Sequence, residues 1–117
     1  MPVKTSKDTI RRAQERVARI REAVFGLDYV CSGTLLKRTK VCGKPNCRCA
    51  KDPDARHGPY YEWSHLRAGK LLHRVVSPHQ AQILRQAIMN QRKLKKLMRD
   101  WEVETERLVD AAADSVE

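Results

Sequence analysis

Three thiols and an imidazole fall close together in this 117-residue chain: Cys42, Cys47, Cys49 and His57. The thiols sit in Val41-Cys42-Gly43-Lys44-Pro45-Asn46-Cys47-Arg48-Cys49-Ala50, spaced C-x4-C-x-C, and the imidazole opens His57-Gly58-Pro59-Tyr60-Tyr61. Tetrahedral zinc takes four ligands from Cys and His at about 2.0–2.3 Å each. The glycine, proline and asparagine of the segment let the chain reverse, and Gly43 can relieve strain beside the first sulfur. In an extended stretch Cys47 and Cys49 project to the same side, which suits joint ligation. Four protein donors leave no position for an activated water, so the expected site is structural rather than catalytic. Cys31, eleven residues before Cys42, is the competing fourth ligand and would make a four-thiolate site. Without metal, the same residues read as reduced thiols in a tight loop, with His57 capping a turn.

Cations surround this knuckle. Lys37, Arg38, Lys40, Lys44, Arg48, Lys51 and Arg56 lie in or beside it, and Tyr60, Arg67, Lys70 and Arg74 follow. Phosphate contacts supply most nucleic-acid affinity, and an exposed ring adds about 1–3 kcal/mol by stacking on an unpaired base. Alternation from Tyr60 to His65 puts Tyr60, Glu62 and Ser64 on one face and Tyr61, Trp63 and His65 on the other. The second set is expected to pack inward. Arg48, between two ligand candidates, is expected to offer its guanidinium to a phosphate. Arg92, Lys95 and Lys96 extend the basic character further along the chain.

Four elements must position these groups, and together they predict an α+β fold. Residues 6–25 carry Ile10, Ala13, Val17, Ile20 and Val24 in steps of three and four, one stripe on a helix. Thr5-Ser6-Lys7-Asp8 matches a capping box, Gly26 stops the helix, and Arg11, Arg12, Arg16, Arg19 and Arg21 are expected on its outer face. Residues 29–76 lack that period and read as three antiparallel strands: 33–41, 60–66 and 71–76, with the loop 42–58 between the first two. Gly69 supplies the positive φ of the hairpin turn. Ser77-Pro78-His79-Gln80 then caps a second helix of about 33 residues, roughly 50 Å long, ending near residue 110. Ala87, Leu94, Trp101 and Leu108 recur along it every seven residues. Either helix 1 or the helix of a second copy, in a homodimer, is expected to cover that stripe. Residues 111–117 read as a disordered acidic tail, and residues 1–110 as one domain.

The motifs joined in this order resemble a prokaryotic family catalogued as a domain of unknown function. The likeness runs over about residues 26–100 and is carried by CGKPNCRC and HGPYY. It implies a helix, the cysteine loop, a hairpin and a long basic helix, and a loose association with mobile elements, but no activity. Cys31 lies outside the motif, which lowers its claim as a ligand.

Composition narrows the function classes. The formal net charge is +10. The six acids Glu102, Glu104, Glu106, Asp110, Asp114 and Glu117 face Arg107 alone, which leaves the preceding body more basic still. A basic body of this kind draws polyanions. No run of about 20 apolar residues offers a membrane span, and the charged start lacks a signal peptide, so the thiols are expected in the reducing cytoplasm. Asp52 and Asp54 suit an Asx turn better than a nuclease metal pair. No catalytic frame, phosphate-cradling glycine loop or small-molecule site is evident. The expected function is a non-enzymatic nucleic-acid-binding protein with structural zinc, a regulator or accessory factor of a mobile element. The alternative is an adaptor that assembles with other proteins through its helices.

Overall fold

The computed structural model describes residues 6–113. Thr5 of the capping motif and positions 114–117 of the acidic tail lie outside that range. The element order is α1 (Ser6–Phe25), β1 (Thr34–Lys40), β2 (His57–Arg67), β3 (Lys70–Val76) and α2 (Pro78–Ala113). Two single-turn 3-10 segments, Arg48–Ala50 and Pro53–Ala55, lie between β1 and β2. The chain forms two compact units, one of α1 with α2 from Asn90 onward, the other of Val30–Met89.

The first unit joins two amphipathic helices. Ala13 is buried, Val17, Ile20 and Val24 are half-buried, and Leu94, Leu97, Trp101 and Leu108 of α2 are half-buried as well. Helix 1 therefore supplies cover for the stripe of α2. Arg16, expected outside, turns toward Glu104, and its Nε donates to Oε2 at 2.6 Å. Arg107 donates to the other oxygen of the same carboxylate. Glu104 is buried, and a buried charge persists only when paired and hydrogen-bonded in this way. Asn90 Nδ2, also buried, donates to Asp28 Oδ1 at 3.0 Å and to the Tyr29 carbonyl at 2.8 Å. The long helix continues to Ala113, past its expected end, because Ala111 is itself buried rather than part of a tail.

The second unit is an antiparallel sheet in the order β1-β2-β3, with the first turns of α2. Register places Leu35, Tyr61, Trp63, His65, Leu72, Arg74 and Val76 on one face. Trp63, Arg74 and Val76 line a cavity of about 180 Å³ with Gln80, Ile83 and Leu84, so this face meets α2. Trp63 stacks on His65 with ring centroids 3.7 Å apart, and its Nε1 donates to the Ser32 carbonyl at 3.0 Å. The start of α2 closes as a reciprocal box: the Gln80 N–H donates to Ser77 Oγ at 3.1 Å, and the Ser77 N–H to Gln80 Oε1 at 2.8 Å.

Ala68 (φ 51°) and Gly69 (φ 80°) form the two-residue turn between β2 and β3. Both central residues at positive φ make a type I′ turn, whose twist matches that of the flanking strands. Buried positions are mostly small, with Ala13, Ala81, Ala87 and Ala111 among them, and among the described residues no large side chain is fully buried. A core this thin gains from a cross-link of another kind.

Candidate metal centre

The ladder between β1 and β2 brings the two ends of the cysteine loop side by side. Lys40 pairs with His57, so Cys42 leaves the sheet two residues beyond the point where His57 enters it. Strand β2 thus begins at His57, three residues before its expected start, despite Pro59. The register shifts between Arg38 and Lys40, and Gly58 lies against this irregularity with φ +115°. A Cβ there would come within 2.9 Å of the Arg38 carbonyl oxygen. Only glycine fits, and irregularities of this kind re-aim the neighbouring side chain, here His57.

Within the loop, short backbone bonds fold the chain back on itself. The Cys47 N–H donates to the Lys44 carbonyl at 3.1 Å, and the Ala50 N–H to the Cys47 carbonyl at 3.2 Å. Asp52 caps the next turn by accepting the Asp54 N–H at 3.0 Å, the Asx role expected of this pair. Arg48 differs from expectation. Its guanidinium, flanked by Cys47 and Cys49, donates to Asp52 at 3.1 Å and fastens the turn instead of standing free.

These constraints converge the ligand atoms of Cys42, Cys47, Cys49 and His57 to within 4.8 Å of one another, close enough to bind a metal ion. Cys47 Sγ lies 3.2 Å from His57 Nε2, and Cys42 Sγ lies 3.5 Å from Cys49 Sγ. A tetrahedral ion bound at about 2.0–2.3 Å spaces its ligands about 3.3–3.8 Å apart, so these separations fit a shared ion. They are far from a disulfide bond, and the cysteines are free. Cys49 is buried, Cys42 and Cys47 half-buried, and His57 exposed.

Electrostatics separate the sulfurs. The Cys49 backbone N–H, then the Cys49 and Cys42 thiols, hold the Cys47 thiol below its ordinary range. For Cys49, the Cys42 N–H at 3.3 Å favours the thiolate, but burial and the two neighbouring sulfurs outweigh it and push the thiol up. Cys47 is thus more readily ionised than Cys49. Cys31 stands apart. Its Sγ donates to the Ser32 carbonyl at 3.7 Å, its N–H donates to the Ala87 carbonyl at 3.1 Å, and burial raises its thiol. The alternative fourth ligand is therefore not in the cluster.

The expected basic residues are arranged as follows. Lys37, Arg38, Lys40, Lys44, Lys51, Arg56, Arg67, Lys70 and Arg74 are all exposed, and among the described residues no ion pair engages them. Arg38 lies directly across from the half-buried Tyr60, and Arg67 from Lys70. Arg92, Lys95 and Lys96 belong to the helical unit, where Lys96 pairs with Asp100 at 3.3 Å. Sequence reasoning did not bring Glu62, Ser64 and His73 together as a group. His73 Nδ1 lies 2.8 Å from Ser64 Oγ and 3.6 Å from a Glu62 oxygen. A nucleophilic relay would need opposite nitrogens of the ring for the two partners, and here both meet the same one.

Fold and cluster together define a small α+β protein with a three-sulfur, one-imidazole knuckle rooted in an antiparallel sheet. The chain belongs to the family described as a domain of unknown function (DUF6788), which matches residues 6–86. That span contains α1, the knuckle, the whole sheet and the first turns of α2. No curated protein and no solved structure matches the chain.

Proposed function

We propose that the protein is a non-enzymatic nucleic-acid-binding module whose knuckle is closed by a structural zinc ion. Three thiolates and one imidazole are the donor set of structural zinc, and residues of this type in a reducing compartment select zinc over harder cations. Bound there, zinc supplies a cross-link between the end of β1 and the start of β2. Cys42, Cys47, Cys49 and His57 hold it, and no fifth protein donor or open position is needed.

The observation that carries the nucleic-acid reading is charge placement. Residues 30–89 hold eleven Lys and Arg against the three acids Asp52, Asp54 and Glu62, a formal +8. Most of those cations face solvent without an acidic partner, as phosphate-binding groups must. Arg38, Lys40, Lys44, Lys51 and Arg56 cluster in sequence about the knuckle, and Arg67, Lys70 and Arg74 follow on the hairpin. A role as regulator or accessory factor of a mobile element belongs to the same proposal.

The test is binding to labelled single- and double-stranded oligonucleotides over a salt series. If about four phosphates are engaged, affinity should fall about a hundredfold between about 50 and 200 mM salt. Undetectable binding at low salt, or affinity indifferent to salt, would refute it. A protein adaptor is the second reading, favoured by one feature of the helical unit. Phe25 is 92% exposed beside a groove lined by Ala18, Arg21, Val24 and Trp101. Under that reading Trp101→Asp abolishes capture of a protein partner and no oligonucleotide is shifted.

A further inference from the structure

We infer that the free edge of β3 is a self-pairing surface, through which two copies of the chain join their sheets in antiparallel register about His73. The order β1-β2-β3 leaves two open edges, and they are built differently. The edge at β1 carries Lys37, Arg38 and Lys40 and is broken by the shift between Arg38 and Lys40. Clustered cations and irregularities are the devices by which natural sheets prevent edge-to-edge association. Strand β3, Lys70-Leu71-Leu72-His73-Arg74-Val75-Val76, pairs with β2 without a shift.

The hairpin fixes which backbone groups of β3 are available. In a two-residue type I′ turn the flanking residues, here Arg67 and Lys70, exchange both backbone bonds. Alternation along the ladder then assigns Leu72, Arg74 and Val76 to β2. Leu71, His73 and Val75 present their N–H and C=O groups to the open edge. Two antiparallel copies centred on His73 would match Leu71 with Val75, His73 with its counterpart, and Val75 with Leu71. Each is a pair of outward-facing residues, giving about six backbone bonds across the join.

The side chains suit the same register. Leu71 and Val75 are 60% and 65% exposed on the sheet face away from Trp63 and α2, and each would meet the other across the dyad. On the opposite face Lys70 would lie against Val76 and Arg74 against Leu72, so no Lys or Arg opposes another. The equivalent arrangement at β1, centred on Lys37, would set that lysine against its own copy. Like charges directly opposite destabilise a sheet. An isologous contact of this kind closes on itself and stops at two copies.

Light scattering on the full, metal-loaded chain should give a dimer mass that dissociates on dilution. In amide hydrogen exchange, Leu71, His73 and Val75 should gain protection with concentration. Val75→Lys, at an exposed position, should raise the dimer dissociation constant about tenfold or more. Met98→Asp, at an exposed position of α2, should leave it unchanged. A chain that stays monomeric at every concentration overturns the inference. So does a dimer whose Leu71, His73 and Val75 amides exchange as freely at high concentration as at low. The wild-type exchange measurement decides even if a variant fails to fold, and neither readout depends on nucleic acid.

Discussion

Removing one sulfur at a time separates ligands from bystanders. Cys47→Ser or Cys49→Ser leaves three donors, and metal content of the purified chain should fall from about one ion to a small fraction. Cys31→Ser should leave it unchanged, because that thiol lies outside the cluster. Retention of metal by Cys47→Ser together with loss in Cys31→Ser would reverse the assignment. Gly58 is the other position where one residue decides the site. At φ +115°, with the Arg38 carbonyl 2.9 Å from any Cβ, Gly58→Ala should cost about 1–3 kcal/mol in denaturant melts and weaken metal retention through His57. An unchanged midpoint would show that the strand can relax there. The clustering of Cys42, Cys47, Cys49 and His57 was legible in the sequence because C-x4-C-x-C and the nearby imidazole are local features. Pairings across long separations were not. The Arg16–Glu104 bond joins residues 88 apart, and Glu104 read as one acid of a tail.

At the scale of elements, the sequence was most informative where local chemistry dictates geometry. The Ser77–Gln80 box and the stripes of both helices appear as their residue patterns require. Alternation along β2 correctly assigned Trp63 to the packed face. The start of β2 was less legible, since Pro59 argues against a strand interior. It is tolerated beside the irregularity of the ladder, where the regular bonding pattern is already interrupted. The turn held a second surprise: Ala68, at φ 51°, occupies a conformation that L-residues with a Cβ enter at a cost. Ala68→Asn would create the Asn-Gly pair that type I′ turns favour, and should raise unfolding free energy by about 0.5–1 kcal/mol. A destabilised variant would mean that the turn is set by contacts other than its own backbone preference.

Taken as a whole, the chain combines a thin, alanine-rich core with a cluster whose four donors come from the end of one strand, the loop and the start of the next. Hydrophobic burial alone holds such a unit weakly, whereas a structural metal contributes its binding energy to folding. The net charge of +10 was readable at once, but its placement was not, because Arg16, Arg48, Lys96 and Arg107 are occupied by carboxylates. Of the net +10, +8 falls in residues 30–89, the unit of the sheet and knuckle, while exposed cations without an ion pair among the described residues occur on the helices as well. No helix among the described residues is long and apolar enough to cross a membrane.

The most direct measurement is elemental analysis of the gently purified chain, followed by thermal melting with and without a strong chelator. The expected result is about one equivalent of zinc per chain and a marked drop in melting temperature once it is stripped. A metal-free sample whose melting is indifferent to both chelator and added zinc would contradict the metal centre.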